Sequence, residues 1–178
     1  QSAPKDAAYK DRTSSVLITE AGSTLYFSGL NWIGEWMHGY VYIDYNNDKV
    51  FDTTVNADGT TGGELVSYNF YSEAGNSTGQ NSKGETVSNN CGVKASNMPS
   101  WDLPLDLEAG DYRMRFNVAW NSIDPCGYAN MAGEGGAMVD VIIRIASQAA
   151  GRTITVSASP AEGGTVTING EAVESVTA

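Results

Sequence analysis

In the stretch VYIDYNNDKVFD, a strand-like run Val41-Tyr42-Ile43 delivers the chain into Asp44, Asn46 and Asp48, with Asp52 after a gap of four. Oxygen-bearing side chains at every second position can fold round one hard cation. Calcium takes about six to eight oxygens at about 2.3–2.6 Å, and short Asp/Asn loops supply them. The candidate ligand set is Asp44, Asn46, Asp48, Val50 and Asp52, with Glu64 returning from downstream as a late ligand and calcium as the implied cofactor. An EF-hand loop needs Gly at its sixth position and Glu at its twelfth. Counted from Asp44, those positions are Lys49 and Val55, and no helical pattern flanks them. The competing reading is a metal-free polar turn, because Asx side chains bond their own backbone.

Three other constellations carry possible chemistry. Trp32, Trp36 and Tyr40 share one parity with Tyr42 and Asp44 if the chain is extended. An exposed row of such rings can stack on sugar faces; the same rings can equally plug one end of a core. Glu35, Asp44 and Asp140 are the candidate carboxylates for a glycoside-hydrolysing pair, which needs two at ~5–10 Å. His38 is the only histidine, and no nucleophile motif accompanies it, so a surface or hydrogen-bonded role is expected. Cys91 and Cys126 cannot make a zinc site alone. In an oxidising compartment they can pair, closing a loop worth up to roughly 4 kcal/mol in the chain-entropy model; two free thiols are the alternative.

The elements that must position these residues are strands. Glycine at 20 and tyrosine at 9, with recurring Ser, Thr and Asn, read as short strands joined by tight turns. The period-two segments are Ser15–Thr19, Thr24–Ser28, Tyr40–Tyr45, Leu65–Tyr71, Tyr112–Trp120 and Met138–Ala146. In Leu65–Tyr71, Val66, Tyr68 and Phe70 should share a face. In the clearest strand, Tyr112, Met114, Phe116, Val118 and Trp120 fall on one face, and Arg113, Arg115, Asn117 and Ala119 on the other. Trp120 is therefore expected in the core, while Trp101, at a loop exit, is open. In the last strand Val139, Val141, Ile143 and Ile145 oppose Asp140 and Arg144. Arg113 and Arg115 should pair with Asp140 or Asp106, as surface pairs worth under ~1 kcal/mol. Leu103, Leu105 and Leu107 alternate, and Pro104 marks an edge. Residues 1–12 are polar, a lead-in or a first edge. Residues 72–100 form a long Gly/Ser/Asn-rich loop, of a length that is usually functional or mobile.

The expected fold is all-β: a two-sheet antiparallel β-sandwich, jelly-roll or Ig-like, over residues 1–148. Residues 149–178 are a short β extension, too small for their own core, and read as the start of a second repeat module. The net charge of −11 repels nucleic acid. No transmembrane run or signal peptide is present, and the start at Gln1 suggests a mature form or an excised fragment.

Three landmarks resemble the GEVED domain, a β-sandwich module of secreted bacterial multidomain proteins. They are VYIDYNNDKVFD with Glu64 downstream; LPLDLEAGDYRMRF, Leu103 to Phe116; and CGYANMAGEGGAMVDVIIRI, Cys126 to Ile145. The family's Gly-Glu-Val-Glu-Asp is here Gly136-Ala137-Met138-Val139-Asp140, and the glycine usual after the third acidic position is Lys49. Separately, TVSASPAEGGTVTING resembles the opening of a bacterial Ig-like surface repeat. The resemblance implies export to the medium or cell surface, tandem architecture, and a non-catalytic binding or spacer role. A carbohydrate-binding accessory domain of a glycoside hydrolase, using Trp32, Trp36 and Tyr40 or the loop 72–100, is the second reading, and a small glycoside hydrolase the third. The expected partners are a glycan or neighbouring domains of the parent chain.

Overall fold

The computed structural model describes residues 9–27, 37–58, 60–69, 78–88, 98–120 and 136–147, and short strands at 153–154, 167–168, 171–172 and 176–177. The chain divides into two compact units, Gln1–Ala146 and Ser147–Ala178. Among the described residues every regular element is a strand, and the fold is an all-β sandwich.

The frame of the first unit is a five-stranded sheet. It is built from β1 (Tyr9–Thr19), β3 (Met37–Asp44), β4 (Leu65–Asn69), β8 (Gly110–Trp120) and β9 (Gly136–Ile145), in the order β1-β9-β8-β3-β4. β9, β8, β3 and β4 pair antiparallel. β1 departs from the antiparallel expectation and runs parallel to β9, which is possible because the rest of the unit separates the two in sequence. The end of the polar lead-in, from Tyr9 on, is therefore the first part of an edge strand. It kinks between Asp11 and Val16, where Asp11 Oδ1 accepts the Thr13 amide and hydroxyl.

The second layer is slight. β2 (Thr24–Leu25) and β7 (Trp101–Asp102) form an antiparallel ribbon, extended by Leu103 N–H to Ser23 O at 3.0 Å. It presses Leu25, Phe27, Met98 and Leu103 onto Val41, Ile43, Tyr112, Met114, Val118, Ile143 and Ile145 of the large sheet. The period-two faces of β8 and β9 lie as the sequence requires. Each such aliphatic or aromatic burial contributes roughly 1.5–3 kcal/mol. The Tyr112 hydroxyl donates to Glu108 O at 2.9 Å, tying the entry of β8 to its own turn, as tyrosine corners do in sandwiches. The alternation of Leu103, Leu105 and Leu107 breaks at Pro104: Leu103 is buried, while Leu105 is exposed in the turn.

The opposite face of the sheet holds a second cluster, Tyr40, Tyr42, Leu65 and Tyr68, flanked by Phe51 and Val55. Here β4 corrects the expected strand faces. Tyr40 pairs with Tyr68 and Val41 with Ser67, but Tyr42 pairs with Leu65. Val66 is the extra residue of a bulge, and a bulge reverses facing beyond it. Val66 therefore joins the Leu25–Phe27 core while Tyr68 joins the tyrosines. Two further strands, β5 (Thr78–Gln80) and β6 (Thr86–Ser88), make a hairpin that reaches β4 through Ser82 N–H to Tyr68 O.

In the second unit, β10 (Thr153–Ile154) pairs with β13 (Val176–Thr177), and β11 (Thr167–Ile168) with β12 (Glu171–Ala172), both antiparallel. No helix among the described residues is long and apolar enough to cross a membrane.

Candidate cation loop

β3 ends at Asp44, and the chain turns out of the sheet through Asn46, Asn47 and Asp48. The turn is made by side chains accepting amides two residues on. Asn46 Oδ1 accepts Asp48 N–H at 2.8 Å, Asp48 Oδ1 accepts Val50 N–H at 2.8 Å, and Asp52 Oδ1 accepts Thr54 N–H at 3.0 Å. This is the Asx-turn chemistry expected of such residues. Asn47 and Lys49 have φ of 57° and 71°, the left-handed region that non-glycine residues enter at a cost. Asn tolerates it. At Lys49 the backbone keeps a glycine-like conformation without the glycine, pinned by its N–H donating to Asp44 Oδ2 at 3.1 Å.

Two buried carboxylates stand behind this loop. Glu64, only 5% exposed, binds both ends of it. Its Oε1 accepts the amides of Tyr45 (2.8 Å) and Asn46 (3.3 Å), and its Oε2 accepts that of Asp52 (3.0 Å). Its main chain continues the tie: Ile43 N–H donates to Glu64 O, and Glu64 N–H to Asp52 O. Gly63, at φ 63°, makes room, because a Cβ there would lie 2.6 Å from Asp52 Oδ2. Asp44, 3% exposed, uses Oδ2 for Lys49; its Oδ1 is buried with no hydrogen-bond partner. A buried carboxylate oxygen without a partner costs free energy that a bound cation would recover.

The predicted ligands thus divide. Asp44, Asn46, Asp48 and Asp52 line one loop, and Val50 contributes only main chain. Glu64 engages both its oxygens with main-chain amides, two on Oε1 and one on Oε2, and so ties the two ends of the loop together. Among the described residues no three His, Cys, Asp or Glu side chains converge on a common point. A cation here would draw first on Asp44 Oδ1, which is buried and has no hydrogen-bond partner; calcium takes oxygen ligands of this kind.

Below the loop lies a charge cluster that connects to it. Asp140 is fully buried. It accepts Arg115 Nε at 2.7 Å on Oδ1, and Arg115 Nη2 at 2.8 Å, Arg113 Nη1 at 3.1 Å and the Tyr9 hydroxyl at 3.1 Å on Oδ2. Arg115 has only 15% of its side chain exposed, so this is a buried pair and not the surface pair expected. The Arg115 guanidinium also lies 5.1 Å over the Phe51 ring, and Phe51 packs 5.6 Å from Tyr42. Phe51 is thus the apolar foot of the cation loop. Tyr9 and Phe51 were not singled out from sequence; Tyr9 sits in a polar lead-in and reaches Asp140 only across strands.

The sugar-platform expectation loses one ring. Tyr40 is 1% exposed, packed on Tyr42 and Tyr68, because even positions of β3 face the tyrosine cluster. Trp32, Trp36 and Glu35 lie outside the described residues, as do Cys91, Cys126 and the side chain of Trp120. Trp101 is half-buried and donates its indole N–H to the Tyr45 hydroxyl at 2.7 Å. Burial pushes that hydroxyl up to about 12, against the lowering effect of the indole. His38 is buried, its Nδ1 2.9 Å from the Tyr40 hydroxyl. Burial pulls its imidazole down to about 4.

The family model of the GEVED domain matches residues 38–137, a span that holds β3 from His38 on, the loop, Glu64 and β8. No curated protein matches the chain, and no solved structure does.

Proposed function

Because the chain belongs to the GEVED-domain family, we propose that it is a non-catalytic binding or spacer module of an exported bacterial multidomain protein, stabilised by calcium. The buried, partnerless Asp44 Oδ1 at the mouth of an Asp/Asn loop carries the calcium part of this reading. The non-catalytic part is supported by Asp140, a carboxylate candidate for hydrolysis that is shut from solvent and bound to two guanidinium groups. A general acid or base needs access to substrate. Neighbouring domains of the parent chain are the partners this role implies.

Melting tests it. Calcium should raise the melting temperature of the full chain and a chelator should lower it. A hundredfold excess over Kd adds about 2.7 kcal/mol. Asp44→Ala combined with Asp48→Ala should remove the response. Equal melting in calcium and chelator would leave a plain Asx turn. Release of a chromophore from aryl glycosides by the purified chain, lost in Asp140→Asn, would overturn the non-catalytic role.

A further inference from the structure

The two buried carboxylates at the loop are in opposite states. Glu64 accepts three main-chain amides across both oxygens. Asp44 accepts one amide through Oδ2 and leaves Oδ1 buried and unpaired. A carboxylate that accepts amides from both ends of a loop, with both oxygens engaged, fixes the path of that loop. One with a free, desolvated oxygen has a lone pair to give to a cation. We propose that the pair divides the work: Asp44 ligates a hard divalent cation through Oδ1, and Glu64 is a positioning residue that holds the loop in its binding shape without touching the ion. This rests on the calcium reading above and assigns its residues.

The geometry gives the reason for a glutamate at position 64. Only an ionised carboxylate accepts at both ends. A glutamine must turn its NH2 toward either Asp52 N–H or the Tyr45 and Asn46 amides, so one side of the loop loses its anchor. Such outer partners of metal sites typically cost about 10–100-fold in affinity when removed. Asp44→Asn, in contrast, takes the negative charge from the oxygen that faces the ion.

Europium(III), a hard oxygen-seeking probe of calcium-like size, separates the roles. Its luminescence lifetime in H2O against D2O counts the waters left on the bound ion. The wild-type chain should bind europium and release it to calcium. Glu64→Gln should bind about tenfold more weakly with the same number of waters. Asp44→Asn should bind with at least one more water, or not at all. A gain of water in Glu64→Gln would make Glu64 a ligand and overturn the division, as would unchanged binding and hydration in Asp44→Asn. If Glu64→Gln fails to fold, amide exchange of the wild-type chain in chelator decides. The amides of Tyr45, Asn46 and Asp52 should already be protected without any cation, and protection appearing only with calcium would refute a positioning role. Wild-type protein that binds no europium and melts alike with calcium and chelator would instead sink the calcium reading itself.

Discussion

Asp140 is the residue on which one face of the sheet turns. It sits on β9, opposite Arg115 in register, and is fully buried beneath two guanidinium groups and the Tyr9 hydroxyl. Breaking a buried pair by removing one charge leaves the other uncompensated, at about 3–5 kcal/mol. Arg113 has 45% of its side chain in solvent and needs less compensation, so the lower end of that range applies. We expect Asp140→Asn to lower stability by about 3 kcal/mol, read from the urea midpoint at constant slope; a shift within error would mean the arginines find water instead. Asp111→Asn is the control. Its bidentate contact with Arg144 has equally good distances, 2.6 and 2.7 Å, yet both side chains are about half in solvent. Exposed pairs are screened, so the midpoint should barely move.

At the scale of elements, the loop from Asp44 to Asp52 shows what pattern can and cannot deliver. Its Asx turns were legible, since each bond joins residues two apart. The role of Glu64 was not, because nothing in a lone glutamate says whether its oxygens face an ion or three amides. The faces of β8 and β9 followed from strict alternation. Those of β4 did not, because a bulge is set by cross-strand register and Val66 carries no local sign of it. The parallel edge β1 was likewise hidden, since its partner β9 lies at the far end of the unit. Lys49 looked like a departure from the family's glycine, yet the backbone at φ 71° keeps the conformation a glycine would have. A non-glycine residue held there costs on the order of 1–3 kcal/mol, part of which glycine returns to the unfolded chain as entropy. Lys49→Gly should therefore stabilise the loop by about 1 kcal/mol, with a higher melting temperature in chelator. A lower one would show that the lysine side chain, and not the backbone, holds the turn.

For the whole molecule, acidity is the condition that tests the packing most directly, because the buried imidazole of His38 titrates near neutral pH when the chain unfolds. His38 lies on β3 beside the tyrosine cluster, and burial lowers its imidazole from 6.5 to about 4. Between those two values the unfolded chain binds a proton at this residue that the folded chain does not. Stability therefore rises with pH across that window and is lost as pH falls from 6.5 toward 4. The full shift corresponds to about 3 kcal/mol. Exposed carboxylates act lower on the scale. Asp11 and Asp58 are held below the usual range by hydrogen bonds from Thr13 and Thr60, and Asp111 by its hydrogen bond from Arg144. Their contributions, small because all three are exposed and screened, are present above the ordinary carboxylate value and fade beneath it. Two phases of acid destabilisation should then be separable in urea melts taken between pH 7 and pH 3. In His38→Gln the amide can still meet the Tyr40 hydroxyl but cannot titrate, so the upper phase should flatten while the lower one remains. A slope between pH 6.5 and 4 that is identical in both proteins would show that the imidazole charges freely in the folded state, and that the tyrosine face of the sheet is open to water.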